Sequence, residues 1–112
     1  MKRIEAIIRP EKVHKVKEEL TAMGCTGLTV YGVQGHGTQC GVTQSWRGSD
    51  YSVDLLPKTS VVCVVHDHEV NDVVDVITQN SRTDHIGDGK IFVTDVEQVI
   101  RIRTGETGAE AI

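Results

Sequence analysis

An α+β sandwich built from two βαβ units is the fold class this sequence predicts, and three observations predict it. Residues Ala6–Leu20, AIIRPEKVHKVKEEL, align without gaps on Cys63–Ile77, CVVHDHEVNDVVDVI, an offset of 57 from Ala6 to Cys63. Both segments pass from an apolar run to apolar residues at helical spacing. Each is followed by a glycine break and a further apolar strand. Two such units about a pseudo-twofold axis give a four-stranded antiparallel sheet with both helices on one face, the ferredoxin-like βαββαβ arrangement.

The elements follow in order. The charged opening MKRIEAII reads as the first strand. Pro10 suits the strand-to-helix turn, since proline is tolerated at a helix start. Val13, Val16, Leu20 and Met23 are spaced 3, 4 and 3, one stripe of a helix. Gly24 breaks the pattern, and Gly27–Val33 resumes as strand. A third strand carries VVCVV, Val61–Val65, and Val70, Val73, Val74 and Ile77 form the second helical stripe. Gly87–Gly89 breaks that helix, and Lys90–Val96 is the last strand, with residues 97–112 as a C-terminal segment. The strands are apolar at both parities, so both sheet faces are expected to be covered, most simply by oligomerisation.

Between Tyr31 and Lys58 lie roughly twenty polar, glycine-rich residues with no hydrophobic period. A hairpin turn would suffice there, so a loop of this length is expected to be functional. Gln39, Trp46, Arg47 and Tyr51 give it the character of an interaction loop rather than a linker.

The chain of 112 residues suits a single domain, 1–112. With 4% aromatic residues the core must be aliphatic. A net charge of −4 argues against general nucleic-acid binding, which rests on phosphate neutralisation. No apolar run approaches the roughly 18 residues of a membrane span, and no signal-peptide pattern opens the chain. A cytoplasmic location is expected, with membranes reached only through a partner. The cysteines, Cys25, Cys40 and Cys63, are odd in number and lack a C-x-x-C, which fits reduced thiols. Cys63 reads as a small core residue. Cys40 lies in the long loop as a candidate reactive thiol, with nothing nearby that clearly lowers its pKa.

Three glycine- or arginine-bearing stretches could carry chemistry. In GHGTQCG, Gly35–Gly41, alternating glycines allow backbone amides to approach an anion, although the spacing is not that of a P-loop. IGDGK, Ile86–Lys90, is a tight turn ending in a cation and reads equally as an ordinary turn before a strand. RIRTG sets Arg101 and Arg103 two apart; in an extended segment both point the same way, as a clamp for polyphosphate or as a solvated strand face. Together in a net-acidic protein they favour a nucleotide site. No nucleophile–base pair stands out, so an enzyme is not expected. His66 and His68 form a candidate metal pair without further ligands and read more readily as surface residues. Asp54, Asp67, Asp72 and Asp75 read as solvated.

Across essentially its whole length the sequence resembles the PII signal-transduction family. The resemblance rests on Thr83 with Gly87–Val93, T-x-x-x-G-D-G-K-I-F-V, on RIRTGE at Arg101–Glu106 and on IEAIIRP at Ile4–Pro10. Gly35, Gly37, Gln39 and Gly41 are similar to the entry of the family's T-loop, and Arg47–Tyr51 to its modification segment. The resemblance implies a homotrimer with ATP or ADP sites at subunit boundaries, and a T-loop at about 37–55 that engages a transporter or enzyme of nitrogen or carbon metabolism. Thr29, Gly35, Gly37, Thr38, Gln39 and Val64 would line the nucleotide. Gly87, Asp88, Gly89 and Lys90 would cradle its phosphates, with Arg101 and Arg103 from across the boundary. Gln39 would ligate Mg²⁺ beside ATP. Gln39, Cys40, Gly41 and Lys58 would hold 2-oxoglutarate, the effector read with Mg-ATP. Tyr51 and Ser49 occupy the family's modification positions.

The chain departs from that pattern at Thr38, where the family commonly has arginine, and at Cys40, Val62, Asp84 and His85. Trp46 and Asp50 alter the surroundings of Tyr51. These departures leave open an adenine-nucleotide sensor with a different partner and second effector, such as a small anion. A trimeric metal-binding protein of similar fold, using Cys63, His66 and His68, is the remaining alternative.

Overall fold

A computed structural model describes residues 1–36, 42–46, 49–53 and 55–112, the two short internal stretches by their backbone alone. The first half runs as β1 (Lys2–Ile8), a 3-10 turn (Pro10–Lys12), α1 (Val13–Ala22) and β2 (Thr29–Gly35). A ribbon of β3 (Val42–Trp46) and β4 (Ser49–Val53) follows. The second half runs as β5 (Leu56–Val65), a 3-10 turn (Asp67–Glu69), α2 (Val70–Ser81) and β6 (Lys90–Asp95). The main sheet has the order β2-β5-β1-β6 and is antiparallel throughout. This is the ferredoxin-like α+β sandwich that the repeat predicts.

The repeat carries through to single residues. The 3-10 turns begin at Pro10 and Asp67, and the helices at Val13 and Val70, each pair at the same offset. Pro10 opens its turn, where its missing N–H leaves no bond unmade. The pairs Ala6 and Cys63, Val16 and Val73, and Leu20 and Ile77 are all buried in one cluster with Ile4, Ile8, Val61 and Val65. That cluster lies between the helices and the sheet and contains no aromatic side chain.

The second strand starts later than the glycine break suggests. The amide of Leu28 bonds back to the Thr26 carbonyl at 3.1 Å, which keeps Gly27 and Leu28 out of β2. The last strand likewise ends at Asp95, not Val96. A larger difference falls in the expected structureless stretch. Within it β3 and β4 pair antiparallel, from Val42 opposite Val53 to Trp46 opposite Ser49, leaving two residues between them. Val, Thr, Trp and Tyr supply strand propensity there. A two-stranded ribbon need not bury one face against a core, so its sequence shows no hydrophobic alternation.

On the sheet face away from the helices, Glu5 lies between Val62 and Phe92 in register, and Thr29 pairs with Val62 on the other side. Tyr31 and Phe92 are 43% and 49% exposed on this face. The Glu5 carboxylate accepts hydrogen bonds from Ser60 Oγ at 2.7 Å, Tyr31 Oη at 2.8 Å and Arg3 Nη1 at 3.3 Å. The Ser60 bond first, and the Tyr31 bond second, hold its pKa below the ordinary glutamate value. Tyr31→Phe is expected to lower stability by about 1 kcal/mol and to move the Glu5 titration upward. Denaturant unfolding and an NMR pH titration read the two effects separately.

Candidate functional site

Three strand ends and one turn meet at one end of the sheet. Gly35 closes β2 opposite Leu56, and a Cβ at Gly35 would stand 3.2 Å from Lys58 Cγ. The Lys58 side chain therefore passes close over Gly35, where an added side chain would crowd it. Its ammonium donates to the Gly87 carbonyl at 2.6 Å. Burial first, and the nearby Arg9 charge second, lower the Lys58 pKa.

The turn before β6 is held by the carboxylate of Asp88. Its oxygens accept from the Thr83 amide at 2.7 Å, the Asp84 amide at 3.0 Å and Arg9 Nε at 3.0 Å, and also from the Thr83 hydroxyl. The Thr83 hydroxyl and amide are the main reasons the Asp88 pKa lies far below the usual carboxylate range. Arg9 also donates through Nη2 to the Ile86 carbonyl at 2.9 Å. Gly87 and Gly89 have φ of 104° and 98°, backbone that side-chain-bearing residues rarely adopt. Asp84 adopts φ 66° as well; its amide bond to Asp88 and its ion pair with Arg82 hold it there.

In this arrangement the Asp88 carboxylate serves the turn itself. Its oxygens are occupied by donors of its own chain, so it shapes the turn and neutralises Arg9. Gly87 and Gly89 permit that shape, and exposed Lys90 heads β6 opposite Ile7. Thr29 and Val64 share the face of Lys58, toward the other end of β2 and β5: Thr29 pairs with Val62, and alternate residues of a strand face one way.

The arginine pair differs from its expected geometry. Residues 102–104 form a turn, so Arg101 and Arg103 do not lie on an extended segment. The Gly105 amide bonds to the Arg101 carbonyl at 2.8 Å, and the Arg101 amide to the Glu106 carbonyl at 2.8 Å. Gly105, at φ 73°, allows the chain to reverse, and Ile100 bridges to Thr107. Arg101 is turned to Glu106 at 3.4 Å and to the Ile112 carbonyl at 3.5 Å, while Arg103 is exposed. Their common direction therefore does not follow from strand alternation.

Gly37, Thr38, Gln39, Cys40 and Gly41 lie outside the described residues, as do the side chains of Ser49 and Tyr51. His66 and His68 stack with ring centroids 5.6 Å apart and planes 7° from parallel. Imidazole lone pairs lie in the ring planes, so parallel rings do not converge on one ion. Among the described residues no group of three or more His, Cys, Asp or Glu side chains is placed to hold a metal ion. Arg9 and Thr83 both lie within the motifs quoted above, yet nothing in their spacing marks them as partners of Asp88.

The extent of the similarity to known proteins decides the relationship. The family model described as nitrogen regulatory protein P-II matches residues 1–106. The chain belongs to the P-II family. It is 54% identical to nitrogen regulatory protein P-II 2 of Methanothermobacter thermautotrophicus over 112 residues, all of this chain and 97% of the relative. It is also 54% identical, over the full length of both chains, to nitrogen regulatory protein P-II of Cereibacter sphaeroides and to that of Nostoc punctiforme. P-II proteins are regulatory signal transducers rather than enzymes, and they act on targets in nitrogen metabolism. Among the described residues of this P-II protein no helix is long and apolar enough to cross a membrane.

Proposed function

We propose that this P-II protein is a cytoplasmic homotrimeric sensor that binds ATP or ADP at its subunit boundaries. It reads 2-oxoglutarate together with Mg-ATP and reports through the segment 37–55. Its whole length, 1–112, acts as one domain, with residues 97–112 as a C-terminal segment. The convergence of Gly35, Lys58 and the Gly87–Lys90 turn at the base of that segment carries the reading. Glycine backbone and two cations meet there, chemistry suited to phosphate and carboxylate groups.

In this reading the turn Gly87, Asp88, Gly89 and Lys90 cradles the phosphates, and the Asp88 carboxylate holds its shape. Arg101 and Arg103 reach the nucleotide of a neighbouring subunit, and Thr29 and Val64 line its base. Gln39 ligates Mg²⁺ beside ATP, and Lys58 pairs with a carboxylate of 2-oxoglutarate, backed by Cys40 and Gly41. The ribbon of β3 and β4 gives the segment a surface for a transporter or enzyme of nitrogen or carbon metabolism. The exposed face bearing Tyr31 and Phe92 is covered by the other subunits.

Calorimetric titration with ATP and with ADP, each with Mg²⁺, in the presence and absence of 2-oxoglutarate, tests the proposal. Nucleotide binding, with a 2-oxoglutarate signal only beside Mg-ATP, is the expected result. Gln39→Ala is expected to abolish that signal while sparing ADP. Nucleotide binding without a 2-oxoglutarate response points to a different second effector and to the departures at Thr38, Cys40 and Val62. Absence of nucleotide binding in folded protein overturns the reading.

A further inference from the structure

We propose that Arg9 is a positioning residue for the nucleotide site: it fixes the phosphate-cradling turn at two points, and it neutralises the Asp88 carboxylate that this turn would otherwise present beside the phosphates. The inference rests on the sensor reading above. Arg9 follows β1 directly and precedes Pro10. Its backbone is extended, with φ −63° and ψ 137°, as the residue before a proline is constrained to be. Its carbonyl accepts from the Lys12 amide at 3.0 Å, which ties it into the turn that leads to α1. The side chain thus starts from a fixed point, at the end of a strand that has neighbours on both edges.

From there the guanidinium spans the turn. Nε donates to Asp88 Oδ1 at 3.0 Å and Nη2 to the Ile86 carbonyl at 2.9 Å, one on either side of Gly87. Lys58 takes the Gly87 carbonyl itself, at 2.6 Å, from the neighbouring strand β5. Ile86, Gly87 and Asp88 are therefore held by cations from two adjacent strands. Gly87 permits the conformation, at φ 104°, but a glycine also leaves the backbone many alternatives. A planar fork with donors in fixed directions removes them, whereas an ammonium is a single point. The Arg9 and Asp88 side chains are 17% and 24% exposed, so salt and water screen their attraction less than on an open surface. With the guanidinium in place the turn carries little net charge. Without it, Asp88 would set a negative charge against each phosphate added.

The experiment measures the affinity of the full chain for ATP and for ADP, each with Mg²⁺, at low and high salt, together with amide NMR spectra of the free protein. Arg9→Met is expected to weaken ATP binding on the order of tenfold. ADP binding should weaken less, because ADP carries one negative charge fewer, and added salt should narrow the difference. The Gly87 and Gly89 amide resonances should move. Arg9→Lys should bring back the parent's ratio of ATP to ADP affinity, since it returns the charge, while the glycine resonances stay displaced, since it lacks the fork. That second variant decides the matter if Arg9→Met does not fold. Unchanged affinities in folded Arg9→Met, an equal loss for both nucleotides, or unmoved glycine resonances in either variant overturn the inference alone. A parent chain that binds neither nucleotide overturns the sensor reading and this inference with it.

Discussion

Gly89→Ala is expected to lower the stability of the chain by on the order of 4 kcal/mol, the exceptional end of single substitutions. A Cβ at this position would lie 1.7 Å from the Ile7 carbonyl oxygen and 2.8 Å from its carbon. The obstacle is backbone, and that backbone cannot step aside: β1 is hydrogen-bonded to β5 on one edge and to β6 on the other. The φ of 98° adds the left-handed penalty of about 1–2 kcal/mol. Gly105→Ala isolates that second contribution, because Gly105 has φ 73° and a Cβ added there would meet nothing within 4 Å. Urea unfolding of the two variants should separate them, with the Gly105 change costing about 1–2 kcal/mol. Equal midpoints would show that the β1 backbone gives way in spite of its pairing on both edges.

The second large effect is expected at Asp88. Asp88→Ala withdraws the common acceptor of Arg9, of the Thr83 hydroxyl and of the Thr83 and Asp84 amides. Arg9 keeps its bond to the Ile86 carbonyl, but the turn that supports Gly87 and Gly89 loses its central tie. The consequence depends on pH. The folded-state pKa of Asp88 is depressed below the unfolded value near 3.9. The stability it contributes is therefore fully present above about pH 5 and is lost as the pH falls through the folded value. The difference in unfolding free energy between parent and variant should be constant above about pH 5 and close progressively below about pH 4. Glu5 and Asp67, whose pKa values are also lowered, titrate in both chains and cancel from the difference. A gap that stays constant down to about pH 2 would remove Asp88 from its assigned part.

Much of the fold was legible because it is written twice. The match of Ala6–Leu20 to Cys63–Ile77 specifies two equivalent strand–turn–helix units, and the buried Ala6, Val16 and Leu20 of one half have buried counterparts in the other. The ribbon was not legible, because β3 and β4 leave no periodic trace. Of the candidate site, the glycines were readable, since Gly87 and Gly89 occupy backbone that other residues avoid. The part of Asp88 was not, since a carboxylate in a glycine turn looks the same in sequence whether it faces a ligand or its own chain. The turn that carries Arg101 and Arg103 was not legible, because Gly105 folds that segment through bonds that no residue spacing records.

The order of strands in the sheet has a consequence for how the chain acquires its structure during synthesis. Ile4 pairs with Cys63 on one side and with Val93 on the other, so the first strand made waits for partners from the second half of the chain. Neither βαβ half can hydrogen-bond its own two strands to each other, because β5 separates β1 from β2 and β1 separates β5 from β6. Pairings this distant in sequence close slowly. A ribosome-bound chain arrested before β5 is expected to remain protease-sensitive in its first half, and protection should arise when β5 emerges and can join β1 to β2.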